Sequence, residues 1–181
     1  MGGKVSATAN FGGSVTATGS TITVGGALAL NGHESGGSID LDASGPIVVQ
    51  AGVVLDTDGL NQGNGSIRLE GATVTIEGGP ALSASKTGKG FFGDAGSVRL
   101  RSTAGDCTLA GRFSATGGNG IIEADATGNL TATGAFRAAS DGCIALSANG
   151  VLDTASASFD VPVVGDCPGS PSGAFVDAPR S

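Results

Sequence analysis

Apolar and polar residues alternate in short runs along most of this chain. Val15 and Ala17 alternate with Thr16 and Thr18, Ile39 and Leu41 with Asp40 and Asp42, Ile67 and Leu69 with Arg68 and Glu70, and Val98 and Leu100 with Arg99 and Arg101. A period of two is the mark of an extended strand with one buried face, and it replaces the 3.6 period of an amphipathic helix. A second short strand follows each run, at Ile22/Val24, Ile47/Val49, Val74/Ile76, Cys107/Leu109, Leu130/Ala132 and Leu152/Thr154. A third follows at Leu28/Leu30, Val53/Leu55, Leu82/Ala84, Phe113/Ala115, Phe136/Ala138 and Phe159/Val161. Turns rich in Gly, Ala, Ser and Asn separate them.

The set of three recurs. First strands open on Gly13-Ser14-Val15, Gly37-Ser38-Ile39, Gly65-Ser66-Ile67 and Gly96-Ser97-Val98, with looser openings at Ile122 and Ile144, so equivalent aliphatic positions lie 24, 28, 31, 24 and 22 residues apart. A repeat of that length implies stacked units. A strand of about four residues cannot bury its inward side chains alone, whereas coils stacked about 4.8 Å apart set each inward residue on its counterpart in the next coil. The expected fold is all-β: a single-stranded parallel β-helix, or β-solenoid, with three short strands per coil and about six coils. Phe113, Phe136 and Phe159 recur at intervals of 23 in the third-strand slot, which predicts an internal aromatic stack. The outward first-strand slots read Asp40, Arg68, Arg99, Glu123 and Asp42, Glu70, Arg101, Asp125, so opposite charges become neighbours, with Arg68 beside Arg99 as an imperfection.

On coil length, three strands per coil and the Gly-Ser openings, residues 4 to 164 resemble the right-handed parallel β-helix proteins. That group includes filamentous-haemagglutinin-type adhesins, autotransporter passengers, phage tailspikes and pectate-lyase-like enzymes. The resemblance implies right-handed winding, which also follows from the general crossover preference. It implies little about activity, because one fold hosts many. The Trp- and His-centred motifs of the pectate-lyase-like enzymes find no match.

Residues 1 to 164 are expected to form the solenoid, and residues 165 to 181 a C-terminal cap and Pro-rich tail, with the chain folding back from about Val163. Four of the six prolines, Pro162, Pro168, Pro171 and Pro179, fall in the last twenty residues. At the other end Val5 and Ala7 align with a third strand whose coil lacks its first two. Two expectations follow for that end: upstream coils in a longer parent chain, or end-to-end self-association into a filament.

Composition narrows the choice of function. Gly 34 and Pro 6 in 181 residues, with 4% aromatics and neither Trp nor Tyr, exclude a helical bundle. A net charge of -7 removes the electrostatic basis for nucleic acid as a partner, and no apolar run is long enough to insert in a membrane. No cofactor or metal motif is evident. Cys107 takes an inward slot and reads as a small buried hydrophobe. Cys143 takes the place of an opening serine and Cys167 lies in the tail. The pairing of Cys143 with Cys167 would pin the cap, and three reduced thiols are the other reading.

Insertions in solenoids gather on one face, often the binding face. The connectors after the third strand vary most, and the longest run from Asp56 to Ser66 and from Ser85 to Ser97. They offer Asp56, Asp58, Asn61, Gln62, Asn64, Lys86, Lys89, Phe91, Phe92 and Asp94 as candidates for a glycan or protein contact, although a Phe there can equally pack under its own loop. The expected role is a non-catalytic surface or secreted adhesin-like solenoid, outside the cell and bacterial. A second reading is a polysaccharide-acting enzyme or tailspike-like depolymerase using Asp40, Asp42, Glu70, Glu123 and Asp125, where carboxylates about 5–9.5 Å apart would serve. A third is ice binding by the threonine row Thr23, Thr75, Thr108, Thr131, broken by Val48. Asp56-Thr57-Asp58-Gly59 resembles the start of a calcium loop without its further ligands. His33, the only histidine, reads as an exposed loop residue rather than a catalytic base.

Overall fold

The computed structural model describes residues 5–6, 9–88, 95–138, 141–164 and 167. Three parallel sheets run along it. The first-strand sheet stacks Ser14–Gly19, Ser38–Ala43, Ser66–Gly71, Ser97–Ser102, Ile121–Ala126 and Cys143–Ala148 in chain order. The second-strand sheet stacks Ile22–Val24, Pro46–Val49, Thr73–Ile76, Cys107–Leu109, Leu130–Ala132 and Leu152–Asp153. The third-strand sheet stacks Val5–Ser6, Leu28–Ala29, Val54–Asp56, Ala81–Ser83, Arg112–Ser114, Ala135–Arg137 and Ser158–Phe159. Each strand pairs with its equivalents one coil away, so the chain is a β-solenoid of about six coils with three strands per coil.

The period-two pattern sorts the side chains. Ile39, Ile67, Val98, Ile122 and Ile144 are fully buried, as are Ile47, Val74, Cys107 and Leu130, and each lies opposite its predicted counterpart. Phe113 and Phe136 stack at 4.6 Å between centroids and 9° between planes, and Phe136 and Phe159 at 5.2 Å and 23°. The aromatic ladder is therefore continuous through the rear coils. The same slot in the front coils holds Leu28, Leu55 and Leu82.

That register corrects the front of the third strand. Leu28 stands opposite Leu55, not Val53. The second coil carries two extra residues in its second turn, where Gly52 adopts φ 77° and Val53 N–H bonds Gln50 O at 3.2 Å, so Val53 is buried in the turn ahead of the strand. A second difference lies at the rear. Val163–Val164 pair in parallel with Ile144 and Ala145, so the chain extends the first-strand sheet there rather than folding back.

The Gly-Ser openings have a steric cause. A Cβ at Gly65 would sit 1.8 Å from Thr57 O, and one at Gly37 would meet Leu30 O at 2.5 Å. The incoming connector crosses so close to the strand start that only hydrogen fits.

Candidate functional site

The first-strand face carries every carboxylate of the enzymatic reading. Arg68 Nη1 donates to Asp40 Oδ1 at 2.9 Å, and its other terminal nitrogen bonds Glu70. Arg99 Nε lies 3.0 Å from Glu123 Oε2, and Arg101 Nε lies 3.8 Å from Asp125 Oδ2, which also accepts through Oδ1 from Ser147 Oγ at 2.9 Å. Arg68 and Arg99 are direct neighbours in register but reach in opposite directions, which relieves their repulsion. Asp42 is exposed and within electrostatic reach of Arg68. Four of the five carboxylates thus face arginine, so most of this face is taken up by ion pairs between neighbouring coils.

On the second-strand sheet the outward row runs Thr23, Val48, Thr75, Thr108, Thr131 and Asp153 in register. Val48 interrupts it and Asp153 ends it.

The third connectors build something the other faces lack. Gly32 bridges Gly59 in parallel, and Gly59 bridges Lys86, while Gly32–Ser35 pairs on its other side with Ala9–Phe11. Leu60 N–H bonds Gly32 O at 3.0 Å, Asn61 N–H bonds His33 O at 3.1 Å, Gln62 N–H bonds Glu34 O at 2.8 Å, and Thr87 N–H bonds Gly59 O at 3.0 Å. Connectors from three successive coils are thereby zipped into a ledge, a short fourth ladder outside the three-sheet tube. Backbone bonding of this kind holds a loop as firmly as a strand edge.

Side chains lock the ledge from beneath. Asn31 Nδ2 donates to Asp56 Oδ2 at 2.9 Å, and Asn31 Oδ1 accepts from Asp58 N–H at 3.0 Å. Asp58 Oδ1 accepts from Ser83 Oγ at 2.7 Å and from Ser85 N–H at 2.6 Å. Ser85 Oγ continues the network to Ser114 Oγ at 2.8 Å and to Thr116 N–H at 3.1 Å. Burial pushes the Asp58 carboxyl above its ordinary pKa, the Ser83 and Ser85 bonds oppose that, and the nearby Asp56 charge adds to it.

Over this network lies an open cleft of about 310 Å³ lined by Asn31, Gly32, His33, Asp58, Leu60 and Thr87. Leu60, 40% exposed, is its apolar element. His33 is exposed with Nδ1 3.4 Å from Glu34 Oε1, and among the described residues no serine hydroxyl bonds it. The cleft thus sets His33 and Thr87 beside Leu60 over the Asn31 and Asp58 network, and its exposed lining is mainly apolar.

The candidates proposed for the loop face divide. Asp58 lines the cleft and Asp56 lies under it. Asn61 and Gln62 act through their backbone, Lys86 bridges Gly59, and Asn64 makes the turn with φ 53°. Lys89, Phe91, Phe92 and Asp94 lie outside the described residues. Asn31, Gly32, Leu60 and Thr87 were missed. Their signal was the register itself, because the connector at Asn31-Gly32-His33 belongs to the coil beside Asp56–Ser66 and has to lie against it. Among the described residues no three His, Cys, Asp or Glu side chains gather to hold a metal, and the Asp56 and Asp58 oxygens face donors instead.

Two cysteines meet at the rear: Cys143 and Cys167 form a disulfide with Cα atoms 5.7 Å apart. Cys107 is fully buried, and burial, helped by the Asp125 charge, pushes its thiol up to about 12, so it stays protonated and unreactive. No protein-family model matches this chain, and neither a curated protein nor a solved structure matches it.

Proposed function

We propose that this chain is a non-catalytic, adhesin-like β-solenoid of the bacterial surface or secretome that binds glycan or protein on its connector ledge. The observation that carries the reading is the ledge itself: three coils each contribute backbone and side chains to one pre-formed cleft, which costs little ordering on binding. Two further features support it. Arginine engages most of the first-strand carboxylates, which argues against their use as an acid–base pair. The Cys143–Cys167 bond suits an oxidising compartment.

Glycan and protein arrays probed with the intact chain test the proposal, alongside a reducing-end release assay on the glycans. Binding without turnover is expected, lost in Leu60→Asp and Thr87→Arg and retained in Asp42→Asn and Glu70→Gln. Sugar release abolished by Asp42→Asn or Glu70→Gln would establish the enzymatic reading in its place.

A further inference from the structure

Two arginines on the third-strand face differ in setting from those of the first-strand face. Arg112 and Arg137 alternate with the inward Phe113 and Phe136, so both point outward, and both are exposed. On the first-strand face Arg68, Arg99 and Arg101 each meet a carboxylate one coil away. On the third-strand face the in-register neighbours are small and neutral: Ala81 and Ala135 flank Arg112, and Ser114 lies beside Arg137. Asp160, one position past Phe159, turns its Oδ1 to Ala138 N–H at 2.9 Å. Arg112 and Arg137 are one rung and two residues apart, about 8 Å between Cα atoms. Two guanidinium forks at that spacing can hold two neighbouring carboxylates.

The pair lies behind the ledge along the same column of strands. Asp56, Ser83, Ser114 and Arg137 follow one another in register over three rungs, about 14 Å. Asp58, two positions past Asp56, lines the cleft, and Ser85 Oγ ties the network beneath it to Ser114 Oγ at 2.8 Å. About four residues of extended peptide cover that distance. The two ends differ in what they accept. The cleft is mainly apolar around Leu60, and the Asp56 and Asp58 carboxyls beneath it repel an anion. The arginines attract one. A polysaccharide repeats the same groups in every unit, whereas a polypeptide sets an apolar side chain and carboxylates at chosen places along one chain.

We propose that the ledge takes an acidic protein segment in extended form, with one apolar side chain in the cleft against Leu60 and carboxylates on Arg112 and Arg137. Asp or Glu two positions apart project from the same side of such a strand, about 6.6 Å from each other, and so meet both arginines. The inference rests on the ledge as a binding surface and narrows its partner from glycan or protein to protein.

An array of random peptides probed with the intact chain, beside a glycan array, tests this. The bound peptides are expected to combine an apolar residue with Asp or Glu about four positions away. For the tightest of them, Arg112→Gln with Arg137→Gln is expected to weaken binding roughly 2- to 30-fold at low salt and to flatten its salt dependence. Arg68→Gln with Arg101→Gln removes the same charge from the first-strand face and is expected to leave binding unchanged. Because Arg112 and Arg137 are exposed, their variant is expected to melt within about 2 °C of the unaltered chain, which separates lost binding from lost fold. Bound peptides without acidic enrichment, or an acidic preference that survives loss of both arginines, would overturn the proposal. So would binding to glycans alone that Leu60→Asp abolishes, a result that keeps the ledge as a binding surface and removes only its acidic partner. Binding to neither array would remove the ledge reading as well.

Discussion

The front and rear coils solve the same packing problem differently. One inward third-strand slot holds Leu28, Leu55 and Leu82 in front and Phe113, Phe136 and Phe159 behind. After the phenylalanines the chain turns back quickly: Ile122 follows Phe113 by nine positions and Ile144 follows Phe136 by eight. After Leu55 and Leu82 it detours for twelve and sixteen positions before Ile67 and Val98. The rear coils put their substance into the interior stack. The front coils put it outside, into the ledge. Because inward slots fix the register, connectors can lengthen without disturbing the core, and an outer ledge is added at small cost to the fold.

The contrast can be broken most severely at the rear. Phe136→Ala removes a ring stacked on both faces and is expected to cost about 3–5 kcal/mol in urea unfolding, leaving the ledge amides protected below the transition. Opening the Cys143–Cys167 bond, as Cys143→Ser with Cys167→Ser, releases a link with a sequence separation of 24 and is expected to cost about 3 kcal/mol. A loss confined to the front coils would contradict the placement of that bond. Gly65→Ala acts on the front instead, since its methyl meets Thr57 O, and is expected to cost about 1–3 kcal/mol with the ledge loosening first.

The smallest effect is one of sign. Asp58 has a raised pKa in the folded chain, so its contribution to stability is complete below the ordinary aspartate value and is lost as pH rises through the raised one. Asp58→Asn keeps an acceptor for Ser83 and Ser85 without the charge. It is expected to melt higher than the unaltered chain at pH 7, with the advantage gone near pH 3. An advantage that persists unchanged in acid would mean that burial of the charge is not the cause.

The tube was legible in the sequence because its information is local and repeated. Period-two alternation named the inward residues, the Phe spacing of 23 named the aromatic ladder, and the Gly-Ser openings marked where each coil begins. Val53 and Leu55 misled because both are aliphatic and two apart: either fits the slot until the partner coil and the Gly52 turn choose between them. The ledge was half legible. Length variation pointed to connectors that bond into the ledge, and one of the candidates there, Asp58, lines the cleft. Asn31, Leu60 and Thr87 were not among those candidates, since a cleft shared by three coils depends on which backbones bond across the stack, and Gly32, Gly59 and Lys86 share no side-chain signature.

Residue-resolved amide exchange on the free chain tests the central claim directly. If the three connectors form one bonded ledge, the amides of Gly59, Leu60, Asn61, Gln62 and Thr87 exchange orders of magnitude more slowly than the exposed amide of Gly78, at rates approaching those of the front strands. Exchange of those five amides at the rate of Gly78 would show separate loose loops and remove the basis for a pre-formed binding surface.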